Sequence, residues 1–192
     1  MPSLMQTVLG QNWAQLPPAL RAHYTEGSSV ERGHLDIHFP RYLQPLFRVL
    51  HLMGALVPRR GCGVTTEVRK QDTARGQAWQ RRMRFADGQL LRFDSLWLAS
   101  GHGTIIEYVN PLLALEMTPY VQGQALHYRG ERFLLRLGRW QLPLPEWLLL
   151  GHTTIVEHAI SNTRFAMDFR LTHPLLGEIF RYSGEFDTAC PR

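Results

Sequence analysis

The chain has 192 residues, 44% of them hydrophobic and 19% charged, with a formal net charge of +5. Disorder needs low hydrophobicity and high net charge, so this composition excludes a wholly disordered chain. No apolar run is as long as a bilayer span, and no secretory signal is read at the N-terminus; a cytoplasmic location is expected.

The first forty or so residues read as a helical lead-in and a short strand. Leu4, Val8 and Leu9 are apolar until Gly10 breaks the pattern, and Asn12 can cap the next turn. Pro17-Pro18 restarts a short helix through Leu20 and Tyr24, because proline is tolerated in a first helical turn. Leu35, Ile37 and Phe39 then alternate with His34, Asp36 and His38, the pattern of a half-buried strand. A helix is expected over Arg41–Val57, where Leu43, Leu46, Phe47, Leu50, Met53 and Val57 recur at helical spacing. Packing on a sheet is the first reading of that helix and a lid over an apolar pocket the second. A membrane-surface helix, with Arg41, Arg48, Arg59 and Arg60 toward headgroups, is the third.

From Val64 to Phe186 the pattern changes to short strands joined by turn signals. Asp87-Gly88 is the sharpest hairpin cue. Leu112–Met117, Gln124–Tyr128 and Arg132–Leu137 read as separate strands, the last two divided at Arg129-Gly130. Pro143 and Pro145 make Trp140–Leu150 an edge or a covering loop. Phe165, Met167, Phe169 and Leu171 alternate cleanly with polar residues. The expectation is one mainly β domain with N-terminal helices. Residues 1–61 form the helical lead-in, short strand and covering helix. Residues 62–192 form an antiparallel, up-and-down barrel or curved half-barrel of about nine strands.

Only one of the 21 basic residues is a lysine, Lys70. Seven bases fall between Arg69 and Arg92, against Asp72 and Asp87; a solvated strand face is the first reading of this cluster and an anion-binding patch the second. It carries no nucleic-acid-binding motif, and no nucleic-acid partner is expected. Cys62 and Cys190, the only cysteines, have no metal-ligand spacing, and whether they are bridged stays open. His34/His38 and His152/His158 lack the third and fourth ligands that zinc takes. No nucleophile elbow, P-loop, dinucleotide fingerprint or HExxH is present. Neither a metal nor a cofactor is expected.

Several dispersed features resemble one family. Near the start stand Leu9-Gly10, Trp13, Leu16-Pro17 and Leu20-Arg21. The middle has Trp79-x-Arg81-Arg82, Phe93-x-Ser95, Gly103, Glu107 and Pro111. Later come Leu142-Pro143-Leu144-Pro145, Pro174, Gly177 and Tyr182-x-Gly184. In order and spacing these resemble the bacterial family known as domain of unknown function 4166. The chain departs from that pattern at Met83, where an aromatic is expected, and at Asn110, where glycine is expected. The resemblance brings no established activity and no catalytic residues. It implies one partner: in some relatives a similar segment follows a saccharopine-dehydrogenase-like, nucleotide-binding domain. With no GxGxxG here, such a dehydrogenase-like partner would be a separate chain.

The aromatic-rich strands, the apolar helix and the arginine cluster together suggest a barrel that binds an apolar or amphipathic, lipid-like small molecule. Trp79, Trp97 and Phe169 would line the site, and Arg81, Arg82, Glu107 and Tyr182 would anchor polar groups. An inward Glu107 needs a partner, which Arg82 or Arg84 could supply. The alternatives are acid–base catalysis by Glu107 or His158 in the same cavity, or an interaction module that docks a dehydrogenase-like protein. The absence of a catalytic motif weighs against an enzyme.

Overall fold

In the computed structural model, which describes residues 2–52 and 54–188, the alternating segments close into a barrel. Three short helical pieces come first: α1 (Leu4–Leu9), a 3-10 segment (Gly10–Gln15) and α2 (Pro18–His23). Ser3 and Gln6 form a capping box on α1. The strands are β1 (Ser28–His38), β2 (Gly61–Thr73), β3 (Gly76–Arg84), β4 (Leu90–Ala99), β5 (Ile105–Tyr108) and β6 (Leu113–Gln122). They continue with β7 (Ala125–Leu137), β8 (Trp140–Pro145), β9 (His152–Ala159), β10 (Arg164–His173) and β11 (Gly177–Asp187).

Neighbours pair antiparallel in the order β6-β5-β4-β3-β2-β1-β11-β10-β9-β7, and β7 pairs again with β6. Ten strands therefore close a ring, which removes the exposed edges an open sheet would leave. β8 stands outside the ring as an extra edge on β7. That position suits its prolines, which cannot donate to a ladder. Against about nine strands expected over residues 62–192, the described residues carry ten from Gly61 onward, and β1 before them makes eleven.

At Gly130 the structure instead joins two segments that the sequence reads as separate strands. Its sequence context reads as a turn after Arg129, but β7 runs straight through it. The ladder to β6 shifts by one residue there, with Met117 opposite Gly130 and Glu116 opposite Arg132. On its other edge β7 pairs with β9 through residues 126–129 and with β8 through residues 132–137. The glycine makes this change of partner possible. A Cβ on Gly130 would lie 2.0 Å from Glu146 Oε2, and that carboxylate also accepts the Thr153 N–H at 2.9 Å. A bulge with a close contact reads in the sequence like a turn, because both need glycine.

The expected long helix is shorter. A 3-10 turn (Arg41–Leu43) leads into α3 (Gln44–Leu52). α3 stops because Gly54 takes φ +76° and donates to the His51 carbonyl, while the Ala55 N–H reaches the Leu50 carbonyl. This pair of bonds is a Schellman ending. Phe47 and Leu50 face inward, and Phe47 packs on Phe39 and Phe180 with ring centroids 4.6 and 5.2 Å apart.

The register gives the barrel two distinct ends. α2 closes one, where β1 begins and β2 ends. The other lies beside α3, with residues 55–57 bordering the lumen. Cys62 is exposed, and Cys190 lies outside the described residues, as does Met53 of the expected apolar stripe.

Candidate functional site

Because side chains alternate along a strand, one parity of each strand faces the lumen. On β3 the inward set is Gln77, Trp79, Arg81 and Met83. On β10 it includes Phe165, Phe169 and Leu171. The lumen encloses a cavity of about 100 Å³. Six of the seven expected site residues border it: Trp79, Arg81, Trp97, Glu107, Phe169 and Tyr182. The seventh, Arg82, does not. It has the opposite parity on β3, so its side chain lies on the outer wall. For the same reason neither Arg82 nor Arg84 pairs with Glu107. Arg81 does: its Nη2 lies 3.3 Å from Glu107 Oε1, and its Nη1 donates to Ser95 Oγ at 2.9 Å. The guanidinium also stands over the rings of Phe93 and Trp79, at 5.1 and 5.7 Å. Phe169 and Tyr182 stack on each other with centroids 4.6 Å apart. Burial pushes the Tyr182 hydroxyl well above its ordinary range, so it stays protonated at neutral pH.

The expected basic cluster is divided by the same parity. Lys70 is buried and donates to the carbonyls of His23 and Thr25, while Arg81 enters the lumen; Arg75, Arg84 and Arg92 stay exposed. Burial lowers the Lys70 ammonium below its usual value.

A second polar group, absent from the expected site, lies toward the α2 end. His23 and Tyr24 project from the end of α2 into the lumen. Tyr24 Oη donates to the Glu157 carboxylate at 2.8 and 2.9 Å, and Tyr128 Oη donates to Tyr24 Oη at 2.5 Å. His23 Nδ1 lies 2.6 Å from Glu31 Oε2. Burial raises Glu157 above the ordinary carboxylate range, against the lowering effects of His23 and the Tyr24 hydrogen bond. Burial likewise raises both tyrosines, helped by the nearby Glu157 charge. His158, its chain neighbour, points outward and is exposed, so it cannot act in the cavity. The signal for the inward acid is present in the sequence: Glu157 shares the phase of Thr153 and Ile155, and His158 that of the exposed Thr154.

A carboxyl with a raised native pKa binds its proton more tightly in the folded state. Its contribution to stability is complete below the unfolded pKa and is lost as pH rises through the native one. Glu157→Gln removes that loss. The Tm of the variant relative to wild type, followed by circular dichroism, is therefore expected to climb as pH rises above the ordinary carboxylate range and to level off once Glu157 ionises in the folded protein. Parallel curves would show that Glu157 does not titrate abnormally.

Two further groups define what the lumen lacks. Trp79 and Trp97 are buried with centroids 5.1 Å apart, and among the described residues neither indole Nε1–H has a hydrogen-bond partner. Thr153 Oγ1 is likewise unpartnered. An unmade buried hydrogen bond costs about 1–3 kcal/mol, so these are unmet demands for an acceptor. Among the described residues no three His, Cys, Asp or Glu side chains converge as a metal site requires.

A family profile described as "Domain of unknown function (DUF4166)" matches residues 16–186. The chain belongs to that family. No curated protein matches it in sequence. Among solved structures, the chain is similar to a tryptophan-to-alanine mutant of the vaccine antigen Transferrin Binding Protein B from Haemophilus parasuis, with 8% identity and a TM-score of 0.34. The match covers 94% of this chain but only 28% of that one. At that level the likeness carries no functional argument. The family assignment likewise names no chemistry, so the function of this DUF4166 protein rests on its lumen.

Proposed function

We propose that the lumen binds a small amphipathic molecule: an apolar body carrying one hydrogen-bond acceptor, such as a carbonyl oxygen. The two unpartnered indole N–H groups of Trp79 and Trp97 support this reading most strongly. They sit in a cavity whose other walls are mainly aliphatic and aromatic. An acceptor placed between them would recover hydrogen bonds that the empty lumen forgoes, while the body of the ligand would gain contact with Met83, Leu115 and Phe169.

Size narrows the class. Drug-sized ligands occupy pockets of roughly 300–1,000 Å³, several times the volume here. A cavity of about 150 Å³ admits a single benzene ring. A long acyl chain would have to displace the aromatic side chains that fill the barrel, so the lipid-like guest expected from composition is replaced by a compact one. Glu157 argues for binding over acid–base chemistry. It borders the lumen, but both of its carboxylate oxygens are engaged by the Tyr24 hydroxyl beneath the α2 plug.

Calorimetric titration with a panel of small ketones, acetone and butanone among them, tests this, since the lumen is smaller than the space one benzene ring needs. Saturable one-site binding is expected. Isobutene, which has the shape of acetone but lacks the acceptor, should bind up to about tenfold more weakly, the worth of one net hydrogen bond. Oleic acid should not bind. If no ketone in the panel binds, or if oleic acid binds tightest, the reading fails.

A further inference from the structure

We propose that the α3 end of the barrel docks on the surface of an anionic phospholipid bilayer. The inference does not depend on what occupies the lumen.

It begins with α3 and the turn before it, which carry apolar side chains on an outward face as well as the inward one, beside a polar stripe of Arg41, Gln44, Arg48 and His51. The inward side chains are accounted for by the core. Outward, Tyr42, Leu46, Val49 and Leu52 recur three or four residues apart, on one face. All four are exposed, Leu52 at 86% of its surface. An amphipathic surface helix keeps such positions polar.

The turns show the same asymmetry. At the α3 end they carry exposed Leu112, Trp140, Leu175 and Leu176. At the α2 end they are more polar, carrying Arg75, His102, Gln124, Ser161 and Asn162 beside exposed Ile160. Tryptophan and aliphatic side chains projecting from one end of a molecule are what an interfacial surface needs.

Charge identifies the partner. Beside α3 opens a cleft of about 440 Å³ whose walls include Gln44, Arg48, His51, Arg59 and Arg60. Among the described residues, the one carboxylate paired with these arginines is Asp87, on Arg59. Arg48 and Arg60 are exposed. Arginine grips phosphate with a planar fork, so headgroup phosphates fit this cleft while the neighbouring apolar face enters the acyl boundary. A second copy of the chain would bring like charges together and fits less well.

Flotation of the full chain with lipid vesicles tests this. Vesicles with about one third phosphatidylglycerol should carry the protein upward, and phosphatidylcholine alone should carry much less. V49D/L52D should stay at the bottom with folding unchanged, because both side chains are already in water. R48A/R60A should lower the partition coefficient roughly thirtyfold, as the loss of two surface charges predicts. Inorganic phosphate at matched ionic strength should release nothing. The proposal is overturned if the protein floats with neither vesicle or if both variants float like wild type. It is equally overturned if free phosphate releases the protein, or if V49D/L52D abolishes a dimer and no vesicle binding exists. Ketone binding by V49D/L52D is expected to be unchanged, which separates this result from the fate of the lumen reading.

Discussion

Replacing Arg81 with methionine is expected to destabilise the protein by about 3–5 kcal/mol, the usual cost of stranding the partner of a buried ion pair. Arg81 and Glu107 keep only 13% and 11% of their side-chain surface in solvent. With the guanidinium gone, Glu107 would face Trp97, Leu115 and the apolar lumen without a counter-charge, and Ser95 Oγ would lose its donor. The double variant R81M/E107L should recover most of the loss, because two apolar side chains of similar volume satisfy each other. Urea unfolding of the three proteins measures the coupling directly. A single variant as stable as wild type would mean that water reaches Glu107, and that the lumen is wetter than its walls imply.

The second large effect concerns Trp79. Its truncation to alanine should cost about 3–5 kcal/mol, the range for removing a large aromatic from a core. The indole ring packs on His23 and Tyr24 from the α2 end and on Trp97 of the neighbouring strand β4, with centroids 5.3, 6.1 and 5.1 Å away. The surroundings belong to a closed ring of hydrogen-bonded strands, so they cannot collapse far into the space. A cavity of one indole should therefore remain. Free indole added to W79A should enter it and raise the denaturation midpoint with ligand concentration, as binding to the native state alone requires. Wild type should show no such rise with indole, since its cavity is too small. If W79A loses little stability and ignores indole, the barrel wall is more pliant than a closed sheet permits.

Much of the barrel is legible from alternation. The Asp87-Gly88 hairpin, the β10 pattern and the edge placement of the Pro143–Pro145 segment follow from local rules that act over a few residues. Closure does not follow in that way. The β1–β11 seam joins residues 32–38 to residues 181–187, and no turn links them. At that seam a Cβ on Gly184 would lie 1.9 Å from the His34 carbonyl oxygen. The glycine is necessary there, but only the closed structure shows why.

Site residues divide along the same line. Trp79, Arg81, Trp97, Glu107, Phe169 and Tyr182 are conspicuous in the sequence as aromatic and charged side chains on strands. Arg82 and His158 are equally conspicuous, and only strand parity, applied residue by residue, rejects them. Trp79 and Met83 set the inward phase of β3, and that phase selects Arg81 over Arg82. Tyr24 and His23 come from the end of α2, and Tyr24 lies 133 residues from Glu157 in sequence, so no periodicity in either segment joins them to it.

The decisive measurement is a proton–nitrogen correlation spectrum of the indole groups during titration with acetone. The five tryptophans give separate side-chain N–H signals. A guest in the lumen should move the signals of Trp79 and Trp97 in a saturable way, in the direction of a newly formed hydrogen bond, and leave exposed Trp140 and Trp147 in place. Motion confined to Trp140 and Trp147, or no motion at saturating ketone, would contradict a ligand-binding lumen.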